Sequence, residues 1–117
     1  LTELYGTIVT NLVCGLIGGP GVISGANIGP RYALFEPGTR NTGTSLAGQN
    51  KANPCAMLNA GADLLSHLQL DYHSQLVRDA VYKTVNEDQL HTEDLGGQAT
   101  SMDVVQNVIN HIKLAAK

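Results

Sequence analysis

Asn53-Pro54-Cys55-Ala56-Met57-Leu58 is the stretch that divides the chain. Asn is a preferred N-cap, and Pro at the first helical position sacrifices no hydrogen bond, so a helix opens here. Leu58, Leu64, Leu65 and Leu68 are the positions expected to face inward along it. A second helix begins at Asp71 or Tyr72, with Leu76, Val77, Ala80, Val81 and Val85 on its buried side. A third starts at Ser101, with Val104, Val105, Val108, Ile109 and Ile112 as its apolar stripe and Asp103 in the positive first turn. Between them His91-Thr92-Glu93-Asp94-Leu95-Gly96-Gly97 reads as a linker, so the chain beyond residue 53 is helical.

Upstream of the cap, residues 36–53 have no apolar period and read as one long polar loop. Loops of that length in a compact domain are usually functional or disordered. Tyr32-Ala33-Leu34-Phe35 and Val22-Ile23 are short apolar runs bounded by Gly and Pro, and both are predicted as strands. Over residues 7–17, Ile8, Leu12, Leu16 and Val9, Val13, Ile17 fall four apart and predict one more helix. Gly18-Gly19-Pro20-Gly21 ends it, because Gly supplies the left-handed cap and Pro cannot continue the ladder. The pattern is α/β, helix-rich with a few short strands.

Composition bounds the function. At 117 residues the chain suffices for one domain, and with 43% hydrophobic residues, one Phe, four Tyr and no Trp its core must be aliphatic. A net charge of −3 with scattered Lys and Arg argues against a nucleic-acid partner, since phosphate binding needs clustered cations. Only 15% of residues are charged, against about 25% in ordinary soluble domains, so part of the surface is expected to be covered by a partner. No apolar run reaches the roughly 18 residues of a membrane span. The first thirty residues hold no Lys or Arg, which gives no signal or transit peptide, and a start at Leu1 reads as a processed product or a piece of something longer. Cys14 and Cys55 lie in apolar helical stretches and are expected to be reduced core residues.

No local motif assigns chemistry. The glycines at 15, 18, 19, 21 and 25 follow a helix, lack GxGxxG spacing and have no adjoining Lys-Ser or Lys-Thr, so a helix-ending turn explains them best. His67, His73, His91 and His111 are too far apart for a local metal spacing. Glu87-Asp88 and Glu93-Asp94 are neighbours whose side chains diverge, and no GxSxG is present.

Five segments nevertheless occur in one order with consistent gaps: Glu3-Leu4-Tyr5-Gly6, Gly15-Leu16-Ile17-Gly18-Gly19-Pro20-Gly21, Ala33-Leu34-Phe35-Glu36, Ala52-Asn53-Pro54 and Thr92-Glu93-Asp94-Leu95-Gly96-Gly97. Together they resemble the C-terminal part of the NAD-dependent isocitrate dehydrogenases and of the broader β-decarboxylating family that includes isopropylmalate dehydrogenase. The resemblance implies that residues 1–117 form the C-terminal segment of an incomplete parent domain. The substrate-gripping Arg and the proton-transferring Tyr and Lys would then lie upstream or on another chain, and sheet edges would be left bare.

Two departures from the family follow. After Leu-Tyr-Gly, catalytic members continue Asp-Ile-Leu-Ser-Asp, and those two acids help hold a divalent metal; the matching positions here are Thr7 and Asn11. Catalytic members carry His-Gly-Thr-Ala-Pro-Asp-Ile-Ala-Gly in the loop that wraps the adenosine of NAD. This chain has Arg40-Asn41-Thr42-Gly43-Thr44-Ser45-Leu46-Ala47-Gly48, one residue longer between the flanking anchors. That version resembles the regulatory gamma-type subunits, whose loop serves an allosteric adenine nucleotide such as ADP. The likeness implies a non-catalytic subunit in which Asn41, Thr42 and Asn53 contact nucleotide. It also implies a hetero-oligomer in the mitochondrial matrix, in which NAD and Mg²⁺ or Mn²⁺ sit on a catalytic isocitrate dehydrogenase subunit. Two alternatives remain: a fragment of a catalytic β-decarboxylating dehydrogenase, or a small scaffold that keeps half of the fold. On residues alone, Asn53 also reads as an N-cap and Asn41-Thr42-Gly43 as a turn.

Overall fold

Helix α1 spans Glu3–Ile17 in the computed structural model, which describes residues 3–38 and 44–116. It starts four residues before the predicted 7–17. It stops where expected: Gly18 and Gly19 take φ of 125° and 100°, and Gly19 N–H donates to Cys14 O at 2.7 Å, the six-residue closure of a Schellman cap. Cys14 is buried, whereas Leu4, Ile8, Leu12 and Leu16 and, beside them, Tyr5, Val9, Val13 and Ile17 are all exposed. The stripe that defines α1 in the sequence is thus an outer surface of this chain.

The first strand is displaced from its predicted position. A 3₁₀ turn over Pro20–Val22 takes up Val22, and β1 runs Ser24–Ile28. It pairs antiparallel with β2, Ala33–Pro37, in the register Ser24↔Pro37 to Ile28↔Ala33. Ser-Gly-Ala-Asn-Ile has little strand propensity, and the pairing partner supplies what local chemistry lacks. The hairpin packs against helix α2, Cys55–His67, and is tied to it by Ser24 Oγ–H donating to Asp63 Oδ2 at 2.8 Å.

Helices α2, α3 (Asp71–Tyr82) and α4 (Ser101–Ala115) enclose the core. Cys55, Ala80, Val81, Val104 and Val108 form its centre, flanked by Leu58, Val77, Val85, Leu90 and Ile112. The inward-facing leucines predicted for α2 need correction, since Leu64 and Leu68 are 41% and 58% exposed. Ala56, Ala60 and Ala62 take the buried positions instead, and their small side chains let α3 come close enough for Ser74 Oγ–H to reach the Ala62 carbonyl at 2.8 Å. Ile109 of the predicted α4 stripe is likewise at the surface. Five residues, Lys83–Glu87, close α3 with a π turn. Thr100 and Asp103 cap α4 reciprocally: Asp103 N–H donates to Thr100 Oγ1 at 3.2 Å, and Thr100 N–H to Asp103 Oδ2 at 3.1 Å. Among the described residues no helix is long and apolar enough to cross a membrane.

Candidate functional site

Thr7, Thr10 and Asn11 fall on one face of α1 by their three- and four-residue spacing, and they line one wall of a groove of about 400 Å³. The opposite wall comes from β1 and from Glu36 and Gly38. Glu36 is the one ionisable group among the described residues of this lining, and its carboxylate accepts a hydrogen bond from Asn27 Nδ2 at 3.0 Å. Mg²⁺ and Mn²⁺ demand several anionic oxygens in near-octahedral array. Glu36 alone is anionic among the described residues of the groove. Among the described residues no three His, Cys, Asp or Glu side chains converge as a metal cage. The neutral donors Thr7 and Asn11 therefore do not fit the divalent ion that acids hold at the matching positions of catalytic members.

On the nucleotide side, Asn41 and Thr42 lie outside the described residues, and Asn53 is half-buried. Asn53 Oδ1 accepts the Cys55 N–H at 3.0 Å, so the side chain caps the first turn of α2 even though the regular helix is counted from Cys55. Its Nδ2 donates to Asp94 Oδ2 at 3.2 Å, and the other Asp94 oxygen accepts from the Thr92 hydroxyl. Thr92 is 1% exposed, so this acid stands on a fixed base. Burial, reinforced by the Asp94 charge, pushes the Cys55 thiol up from 9.0 to about 11.

Beside Asn53 the loop forms a second depression, of about 420 Å³, between Thr44, Leu46, Asn50, Lys51 and Ala52 and the first residue of α4, Ser101. Its size falls within the usual range for small-molecule sites. Among the described residues the loop is held to α4 by three bonds: Ser101 N–H to Asn50 O and Met102 N–H to Asn50 Oδ1, each 3.1 Å, and Ser101 Oγ–H to Ala52 O. Asn50 takes the left-handed φ of 57° to do so. Among the described residues this lining carries hydroxyl and amide groups and one ammonium group, that of Lys51. Asn50, Lys51, Ser101 and Asp94 are not among the sequence candidates, and the bonds that Asn50, Ser101 and Asp94 make to distant parts of the chain span 41 to 52 positions, beyond the reach of any local signal.

The four histidines go to separate partners. His67 packs its ring on Phe35 with centroids 5.6 Å apart, and His73 meets Tyr72 edge-on. The Nε2 of His91 lies 2.9 Å from Val85 O, and that of His111 lies 2.6 Å from Asp88 Oδ2. Hydrogen bonds from His111 and Asn107 hold the Asp88 carboxyl below the usual carboxylate range.

Comparison with known proteins gives a consistent result. Residues 1–112 match the isocitrate/isopropylmalate dehydrogenase family. The chain is 46% identical over 114 residues to the human mitochondrial NAD isocitrate dehydrogenase subunit gamma, covering 97% of this chain and 29% of that protein. It is 42% identical over 110 residues to yeast mitochondrial NAD isocitrate dehydrogenase subunit 1, covering 94% and 31%. Among solved structures, isocitrate dehydrogenase from Methylococcus capsulatus superposes with a TM-score of 0.86 at 32% identity, over 96% of this chain and 33% of that one. A β-decarboxylating dehydrogenase from Thermococcus kodakarensis gives 0.86 at 36% identity, over 97% and 33%. The chain thus spans about a third of the length of the proteins it matches.

Proposed function

The chain belongs to the isocitrate/isopropylmalate dehydrogenase family, and on that premise we propose that it is part of a regulatory, non-catalytic subunit of NAD-dependent isocitrate dehydrogenase. One observation carries this reading: Thr7 and Asn11, where the family resemblance expects metal-binding acids, face a groove whose described lining holds a single carboxylate, that of Glu36. Oxidative decarboxylation of isocitrate to 2-oxoglutarate would then belong to a catalytic partner subunit, together with NAD and the metal ion. The likeness to subunits named gamma and beta supports membership of a hetero-oligomer, and so does the exposed apolar length of α1, which in water needs a cover. The named relatives are mitochondrial, and the compartment assigned to the chain is the mitochondrial matrix.

The loop joining β2 to α2 would bind an adenine nucleotide, ADP in the first instance, through Asn41, Thr42 and Asn53, with Lys51 as the cation on the described lining of the adjacent depression. Binding there and isocitrate binding on the partner must be reciprocal: if ADP tightens isocitrate, isocitrate tightens ADP by the same factor. Asn41→Ala with Thr42→Ala in the full hetero-oligomer tests the assignment. Activation by ADP should be lost while turnover at saturating isocitrate remains; unchanged activation would sink the loop assignment.

A further inference from the structure

An α-helix begins with four N–H groups that no carbonyl of its own can reach. In α4 all four have partners, two of them supplied by the helix end itself and two by Asn50. The capping box serves Thr100 N–H and Asp103 N–H. Asn50, 52 positions before Met102, serves the others: its main-chain oxygen accepts from Ser101 N–H and its Oδ1 from Met102 N–H, each at 3.1 Å. Both oxygens reach the helix because Asn50 holds the left-handed φ of 57°, which Asn tolerates better than most residues with a Cβ. Residues 44–52 are exposed throughout, and among the described residues their hydrogen bonds to the rest of the fold all go to Ser101 and Met102. The loop is thus fastened at one place, and Asn50 makes two of the three bonds there.

The same fastening builds the depression beside the loop. Thr44, Leu46, Asn50 and Lys51 stand on the loop side and Ser101 on the α4 side, so the Asn50 bonds are what set the two walls opposite each other. A ligand that touches both walls binds the fastened state better than the released one, and it shifts the loop toward that state by the difference. Release disturbs little else: one exposed residue returns to negative φ, and two helix amides turn to water. We propose that Asn50 is a positioning residue, a latch that assembles the nucleotide site from loop and helix, and that bound nucleotide closes it. The inference rests on the reading above that this loop binds an adenine nucleotide, and it supplies the conformational step that binding there would drive.

The test is amide hydrogen exchange, read by mass spectrometry on the full hetero-oligomer with and without ADP, beside calorimetric titration of ADP. Saturating ADP should slow exchange in the peptide carrying Ser101 and Met102 by about fivefold or more and leave the peptide carrying Val108 unchanged. Asn50→Ala loses Oδ1 and disfavours the left-handed backbone, and it should weaken ADP by about fivefold or more; Asn50→Gly keeps the backbone, loses only Oδ1 and should fall between. Thr100→Ala is the control: it frays the same helix end without touching the loop, so ADP should bind it within about twofold of the unsubstituted protein. If Asn50 merely stabilises α4, Thr100→Ala and Asn50→Ala weaken ADP alike, and that result overturns the inference. So does ADP that binds without slowing exchange at Ser101 and Met102, or ADP binding that is undiminished in Asn50→Ala. Should Asn50→Ala fail to fold, Asn50→Gly and the exchange of the unsubstituted protein decide. An unsubstituted protein that binds no ADP removes the nucleotide reading itself, a failure visible in the first titration, and takes this inference with it.

Discussion

Replacing Cys55 by Ala tests the packing around the start of α2 through its electrostatics. Cys55 is 3% exposed, and burial together with the Asp94 charge lifts its thiol from 9.0 to about 11. The folded state therefore holds this proton about two units more tightly than the unfolded chain does. A neutral thiol contributes its full stabilisation below pH 9, and that contribution is lost as pH rises toward 11. At about 1.4 kcal/mol per unit the loss comes to about 2 to 3 kcal/mol. Urea unfolding of the full subunit at pH 8, 9, 10 and 11 should show a steeper alkaline decline for the unsubstituted protein than for Cys55→Ala, whose other titrating groups are shared. At pH 8 the thiolate fraction falls about a hundredfold below that of a thiol at 9.0, so alkylation of the Cys55 peptide should be slower by at least that factor. Coincident alkaline slopes, or alkylation within about threefold of a free thiol, would refute the reasoning.

Removing one half of the α4 capping box with Thr100→Ala should cost about 1 kcal/mol in urea unfolding, and no change would deny the cap its role. Asp63 accepts from Ser24 and pairs with Arg78, with side chains 26% and 41% exposed; Asp63→Ala should cost about 1 to 2 kcal/mol and Asp63→Asn less than half of that. Asp88 lies below its ordinary 3.8 because His111 and Asn107 bond the charged form. Its contribution to folding is present above the ordinary carboxylate value and fades as pH falls through the lowered one; His111→Ala should move the Asp88 titration upward when followed by NMR.

Features written in neighbouring residues were legible from the sequence. Asn53 capping α2, the Gly18-Gly19 stop after α1 and Asp103 in the first turn of α4 depend on residues within one helical turn of each other, and each appears where local chemistry puts it. Thr7 and Asn11 share a groove because four-residue spacing on a helix leaves them no alternative. Strand β1 lies beyond the Val22-Ile23 run because Ser-Gly-Ala-Asn-Ile owes its conformation to β2 rather than to itself. Leu64 and Leu68 lie outside because periodicity reports an apolar face without saying which of two such faces a neighbour will cover; on α2 the alanine face is covered, since it admits a closer helix. Asp94 read as one of two adjacent acids. Its partner Asn53 is 41 positions away, and nothing local could have joined them.

The central claim is that the groove under α1 cannot hold the divalent ion. It is tested most directly by titrating Mn²⁺ into the full subunit, free of its catalytic partner and in the presence of isocitrate, with electron paramagnetic resonance counting the bound ion. The account expects no ion at the groove and no NAD reduction, with binding gained only when Thr7→Asp and Asn11→Asp are introduced together. Mn²⁺ coordinated by the native Thr7 and Asn11 side chains, with isocitrate turned over beside it, would contradict the account.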